Sequence, residues 1–358
     1  MFANDKLSRE KKCYSRCYKM ENVAESTALQ NLNERYINFL SYNQHVIVIA
    51  RTGPHNELKT VMRVCDMNLT SCTVARTIFN RELRFQEIAH NAAPLLRANS
   101  ISIIGGIIPP LYHGPRSGVY LIQSPFIYPY STFSWRITKL FDRTTVKRYN
   151  CIERRNYCAG VCEFDGKFSI VRFRGRFMLY ARANLQVNVA ERDRQKIIFG
   201  GRHVQVATSQ NLEGPWSNFS IVTIKRYVLK REHNIYFASV KTNPLNTKTL
   251  VGMFPTNDNA HNSSVIVALS CDGIHFSSPY KLVVSRFAHN YRGDVHPVDG
   301  LTLNKTHLHF YVQYNVPGIA HSPSRVARHA VTRENMKLWT LSALRELEEC
   351  SDTQYMEA

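Results

Sequence analysis

The sequence predicts an all-β chain built from one small antiparallel sheet repeated along its length, on three observations. An extended run ending in serine recurs as Gly118-Val-Tyr-Leu-Ile-Gln-Ser124, His203-Val-Gln-Val-Ala-Thr-Ser209 and Ser264-Val-Ile-Val-Ala-Leu-Ser270. Each copy runs through a turn to an aromatic residue and a second extended run: Phe133-Ser-Trp135-Arg-Ile137, Trp216 with Ile221-Val222, and Ile274-His-Phe276 with Tyr280-Lys-Leu-Val-Val284. One more strand precedes each copy: 101–108, 168–182 folded at Arg174-Gly175, and 249–254. The serines stand 85 and 61 positions apart, so the 301 residues from Tyr42 to Ser342 hold about five such units at the shorter spacing. Radial repetition of three- or four-stranded sheets is the plan of a β-propeller, here five-bladed with short N- and C-terminal extensions.

The elements follow in order. Residues 1–41 read as an extension with a basic start and then a helix from Ala24 to Leu40, where Leu29, Leu32, Tyr36 and Phe39 have helical spacing. Residues 42–342 form the propeller, whose first unit contains 46–51 paired with 59–64. Asp272-Gly273 marks a tight turn, because Gly accepts positive φ and Asp bonds its own backbone. The last unit begins with 300–316 folded at Asn304-Lys305, so the two ends of the repeat region meet. Residues 343–358 are an acidic tail, and a short helix is expected from Leu341 to Glu348.

Composition narrows the class. The 358 residues are 44% hydrophobic with 46 Lys+Arg against 27 Asp+Glu, a globular balance carrying a net charge of +19. That excludes disorder and collagen-like repetition. The longest apolar stretch, from Ile101 to Leu111, is broken by Gly105, Gly106, Pro109 and Pro110, so membrane insertion is not expected. The first 20 residues are basic with no hydrophobic segment behind them, which does not read as a secretory signal and predicts a cytoplasmic protein. Four Asn-x-Ser/Thr sequons, at Asn68, Asn218, Asn262 and Asn304, argue the other way. Nine cysteines at irregular spacing, with no Cys-x-x-Cys pair, read as reduced thiols rather than a disulfide frame or a zinc site. The tails carry +4 and −4, so the body holds the whole +19 and would attract an anionic polymer. Nucleic acid is one such polymer, but no basic helix or recognised binding motif accompanies the charge.

Three stretches carry a resemblance. Glu163-Phe-Asp165-Gly-Lys-Phe-Ser169-Ile-Val, then Arg174-Gly-Arg-Phe-Met-Leu-Tyr180-Ala-Arg182-Ala-Asn184, then His203 to Ser209 with Pro215-Trp216 resemble blades of five-bladed propeller glycosidases. These are the arabinanase/xylosidase and invertase-like clan and its uncharacterised relatives. His90-Asn91-Ala-Ala-Pro94 and Gly293-Asp294-Val-His296-Pro-Val-Asp299-Gly300 look like the motifs that lead into inner strands of such blades. The resemblance implies two or three carboxylates on the innermost strands around an axial pocket. One acts as acid and another as base or nucleophile, ~5 Å apart in retaining and ~6.5–9.5 Å apart in inverting enzymes.

Most acids here lie in tails or turns, which leaves Asp165 and Asp294 as the expected pair, with Asp299 third and Glu163 fourth. The early motif at His90-Asn91 holds no acid, where the clan places one in its first blade; Glu87 is the nearest. Asn91, Arg182, Asn184, Arg202, His203, Gln205 and His296 are expected to bind substrate, because guanidinium clasps carboxylate and amides pair with hydroxyls. The alternative for Arg182 and Arg202 is a buried ionic cluster with Asp165 or Glu163. Trp135 and Trp216 are either sugar platforms or, at a repeat position, packing residues. His203, His261 and His296 lack a metal-ligand spacing, so neither metal nor other cofactor is expected. The expected function is a glycoside hydrolase-like protein that acts on or binds a glycan, and the +19 charge points to an anionic one. A non-catalytic propeller binding glycan or protein is the alternative, and a binder of nucleic acid or an anionic surface the third.

Overall fold

A computed structural model of the chain describes residues 20, 23–53, 59–78, 90–97, 99–106, 119–126, 133–141, 153–154, 157–158, 166–191, 194–227, 233–258, 262–285, 288–289, 292–317, 323–347 and 350. The strands come in successive antiparallel meanders. β1 (Ala24–Leu32) stands apart from the first of these, which is β2 (Arg35–Tyr42), β3 (His45–Thr52), β4 (Lys59–Asp66) and β5 (Arg76–Thr77). The next is β6 (His90–Arg97), β7 (Ser100–Gly106), β8 (Val119–Pro125) and β9 (Arg136–Phe141). Then come β10 (Ser169–Phe173), β11 (Arg176–Glu191), β12 (Arg194–Ser209) and β13 (Ser220–Ile221). In the following sheet β14 (His233–Ile235) and β15 (Ser239–Thr242) share one edge of β16 (Leu250–Asp258), which continues into β17 (Asn262–Ser270) and β18 (Tyr280–Ser285).

The last meander is β19 (His296–Leu303), β20 (His307–Tyr314) and β21 (Ser324–Thr332), completed by β1 from the other end of the sequence. β1 pairs antiparallel with β21, from Ala24 opposite Ala330 to Leu32 opposite Ser324. Each meander packs against the next through a buried apolar cluster. Ile47 and Ile49 meet Ile101 and Ile103, Ala93 and Ile104 meet Phe168 and Leu179, Val204 and Val206 meet Phe254 and Ile266, and Val265 and Val267 meet Phe310 and Val331. A further cluster, Ile37, Val46 and Val48 against Val298, Tyr311 and Val326, joins the last meander to the first. The sheets therefore curl into a closed ring.

The recurring serines have one physical job. Ser124, Ser209 and Ser270 are buried, and their hydroxyls accept from backbone N–H groups of the chain beyond the strand: Ser134 (2.9 Å), Asn211 (3.2 Å) and Gly273 (2.8 Å). Gly273 takes φ +83 there, as its turn requires. The folds expected at Arg174-Gly175 and after Asn304 fall between β10 and β11 and between β19 and β20.

Three expectations are corrected. Residues 24–40 are β1 and β2, not a helix, and so belong to the sheets rather than to an extension. Ile37, Asn38 and Phe39 are consecutively buried because β2 is covered on both faces, which erases period-two alternation and leaves a pattern that mimics a helix. The C-terminal helix, α1 (Arg333–Leu344), starts earlier than expected and ends before Glu348; Thr332 caps it by accepting from Asn335 N–H (3.2 Å). Four cysteines are not thiols: Cys65–Cys72 closes a turn and Cys271–Cys350 ties the tail to the sheet, 7 and 79 positions apart. Neither separation has a spacing signature, so the pairing is visible only in three dimensions. Among the described residues no helix is long and apolar enough to cross a membrane.

Candidate functional site

The innermost strands β2, β6, β10, β14–β15 and β19 start at one end of the ring, called here the upper end. Midway along them sits an ionic knot. Asp299 of β19, 1% exposed, accepts from the hydroxyls of Ser169 (2.9 Å) and Ser239 (2.8 Å) and from Lys241 Nζ (2.8 Å). Ser169 also accepts from Val240 N–H (3.0 Å), and Asn38 stands opposite Asp299 where β2 and β19 run parallel. Gly300 is needed beside that contact, since a Cβ would lie 2.6 Å from the Phe39 carbonyl oxygen. Lys167, just ahead of β10 and fully buried, donates to the Ile37 carbonyl (2.7 Å) and lies 5.5 Å from the Phe237 ring. Burial pushes its ammonium down to about 7; the Asp299 charge opposes that shift and Lys241 adds to it. One carboxylate thus joins residues of several inner strands. Below the knot, at the lower end, a cavity of about 340 Å³ opens between Phe39, Leu95, Ile170, Lys241 and Leu301.

Above the knot the residues change character. His296, at the start of β19 and 2% exposed, stacks against Tyr36 (6.0 Å between ring centres) and Tyr236 (5.6 Å), with Phe237 edge-on at 5.1 Å. The Tyr36 and Tyr236 hydroxyls touch at 3.2 Å. Three guanidinium groups converge on this pair of rings: Arg51 lies 6.0 Å from the centre of Tyr36, and Arg182 and Arg202 lie 5.9 and 5.2 Å from the centre of Tyr236. They arrive from three strands, β3, β11 and β12. Gly166 makes room for one of them, because a Cβ there would sit 2.5 Å from the Arg182 Cβ. The result is a cationic, aromatic cluster at the upper end, called here the pit, in which Arg51, Arg182 and Tyr236 are 5%, 6% and 7% exposed. Planar guanidinium forks beside aromatic faces can hold a carboxylate or sulfate and a sugar ring together.

The residues expected from sequence divide. Arg182, Arg202 and His296 meet in the pit. Gln205 lies beneath it, donating from Nε2 to the Arg182 carbonyl (3.1 Å), with no partner for Oε1 among the described residues. His203, on the opposite face of β12 from Arg202, faces the core: Nε2 bonds the Val222 carbonyl (2.6 Å), and burial pulls the imidazole down to about 4. Asn91 and Asn184 lie on β6 and β11, where only the backbone is described; Asn184 pairs with Arg202 in register. Asp165, Glu163, Glu87 and His261 lie outside the described residues.

Asp294 and Asp299 do not face each other across an open pocket. Asp299 is locked in the knot, and Asp294 is buried between β17 and β18, accepting from Ser263 (2.9 Å) and Ser285 (3.1 Å). The tryptophans pack away from the axis: Trp135 stacks on Phe133 (4.9 Å) in the core, and Trp216 donates to the Leu212 carbonyl (3.3 Å). Among the described residues no three His, Cys, Asp or Glu side chains are grouped as a metal would require.

Sequence reasoning missed Tyr36, Arg51, Tyr236 and Lys167. It also placed the first inner strand too late. That strand is β2, and the acid just before it is Glu34, which is 6% exposed and paired with Arg63 of β4 rather than directed at the axis. The one sequence signal for Arg51 is a lone cation near the end of the apolar run His45-Val-Ile-Val-Ile-Ala-Arg51.

The chain matches no family model and no curated protein at the level of sequence. Its fold is similar to that of solved carbohydrate-active proteins. An N-acetylgalactosamine deacetylase from F. plautii, solved with blood group B trisaccharide, aligns with a TM-score of 0.53 at 10% identity over 88% of this chain and 96% of its own. The catalytic domain of the Coprinopsis cinerea GH62 α-L-arabinofuranosidase aligns at 0.52 and 8% identity, covering 86% and 96%. A thermostable family-43 glycoside hydrolase aligns at 0.52 and 12%, covering 87% and 91%. The resemblance to propeller glycosidases is therefore one of fold, spread over most of the chain.

Proposed function

We propose that the protein is a five-bladed propeller whose upper axial pit binds an anionic glycan. The blades are the four-stranded meanders, the last completed by β1. The observation that carries the reading is the convergence of Arg51, Arg182 and Arg202 on the paired rings of Tyr36 and Tyr236, backed by buried His296. Guanidinium recognises carboxylate or sulfate, and the +19 charge attracts polyanions to the molecule. Fold likeness to glycan-active proteins agrees with this reading but does not assign it.

Binding is favoured over hydrolysis because Asp294 and Asp299 spend their oxygens on serines and a lysine. Hydrolysis is the second reading and would fall to Asp165 and Glu163. It is favoured by one feature: Asp165 immediately precedes Gly166, which backs onto Arg182 of the pit.

The test is binding to uronate-bearing, sialylated and sulfated oligosaccharides beside neutral ones, with a DNA duplex as polyanion control. Arg182→Met and Arg202→Met should each weaken anionic-glycan binding by roughly 10- to 100-fold, the scale of one charge-assisted hydrogen-bonded contact. Equal binding of neutral and anionic sugars, or salt-sensitive binding of DNA indifferent to the variants, would sink the proposal. Release of reducing sugar that is abolished by Asp165→Asn with binding retained would establish the second reading.

A further inference from the structure

We propose that Asn68, Asn218, Asn262 and Asn304 are acceptors for N-linked glycans, and hence that the chain matures in an oxidising secretory compartment. Four sequons in a sequence are only a pattern; the structure adds where they stand. All four asparagines are exposed, each in a turn or loop or at a strand end. None has its Nδ2 in a hydrogen bond among the described residues. The side chain of Asn304 shows the arrangement most fully. Its Oδ1 accepts from Thr306 N–H (2.9 Å), Thr306 Oγ1 (3.2 Å) and His307 N–H (2.7 Å), so the carbonyl end is held by the sequon's own threonine. The amide nitrogen is left for chemistry.

The placement is not uniform around the molecule. Asn304 follows β19, Asn68 follows β4, and Asn218 lies beside the end of β12, where Ser217 N–H bonds the Thr208 carbonyl (2.8 Å). These three strand ends share the lower end of the ring, opposite the pit. Asn262 opens β17 at the upper end, on the third strand out from the axis rather than on an inner strand. Glycans at these positions would cover the lower face and leave the inner rim of the pit clear.

The disulfides are the independent observation. Cys65–Cys72 and Cys271–Cys350 require an oxidising compartment in most cells, and N-glycan transfer occurs in such a compartment. Asn68 lies within the loop that Cys65–Cys72 closes. In the transfer, the Asn Nδ2 loses a proton and bonds to C1 of an oligosaccharide. The C1–O bond to a lipid diphosphate donor breaks, and the diphosphate leaves with the electron pair.

The experiment is expression of the full chain behind a cleavable secretion signal in insect cells, followed by peptide mapping before and after enzymatic deglycosylation. The expected result is glycan at all four asparagines, converted to Asp on release, with one mass step lost in each single Asn→Gln variant. Cys65, Cys72, Cys271 and Cys350 should resist alkylation until reduced. A folded, secreted chain with unmodified asparagines, or with those cysteines freely alkylated, would overturn the proposal. The readout does not depend on what the pit binds.

Discussion

Asp299 shows how closely a residue chosen for chemistry can be held by its neighbours. Its position in a lead-in motif of an inner strand fits a catalytic acid, yet its oxygens are held by Ser169, Ser239 and Lys241 at 1% exposure, with Lys167 nearby. Removing one member of such a set leaves buried charge uncompensated, so Asp299→Asn should cost about 3–5 kcal/mol of stability. Chemical denaturation should show this as a lower midpoint with an unchanged slope. If the variant is as stable as wild type, the knot is not what joins the inner strands. The arginines teach the converse. Arg182 and Arg202 were legible as binders by residue type, whereas Tyr36 and Tyr236 were not, because they meet only when β2 and the β14–β15 segment come together across 200 positions.

Among the elements, β1 carries the closure of the ring. It covers the edge of β21 and contributes buried Leu32 to the cluster between the last and first meanders. A chain lacking residues 1–33 would expose the β21 edge and that apolar patch. It should unfold at lower temperature, with a loss on the order of 2–4 kcal/mol, and should self-associate through the open edge. Thermal unfolding and size-exclusion chromatography would check both outcomes, and an equally stable monomer would show that β1 is dispensable. The meanders themselves were legible because their turns are local: Ser270 with Asp272-Gly273, Arg174-Gly175, and Asn304 act within a few residues. β1 was not, since its partner lies some 300 positions away and its hydrophobic spacing alone is ambiguous.

For the whole molecule, burial of neutral imidazoles sets an acid limit. His203 and His309 are pulled down to about 4 and His329 is also lowered, in each case chiefly by burial. The unfolded chain takes up their protons near pH 6.5 while the folded chain does not, so stability should fall as pH drops from about 6.5 toward 4. Lys167 works at the other end: its charge is disfavoured in the fold, so its contribution improves from about pH 7 to about 10.5. Melting temperature across pH 4–10 should rise between 4 and 6.5, and His203→Gln should flatten part of that rise. An acid limb unchanged in the variant would locate the sensitivity elsewhere.

The sequence by itself determined the all-β class, the repeated meander and its turns, and the basic body, because these depend on local pattern and composition; the likeness to propeller glycosidases entered as a resemblance of its motifs to that family. Only the tertiary structure decided which cysteines pair, which side chains bond the oxygens of Asp294 and Asp299, that the first inner strand is β2, and which cations meet over which rings. Those outcomes are set by contacts between residues far apart in the chain, and a ring of sheets brings the starts of its inner strands to one axis whatever their separation in sequence.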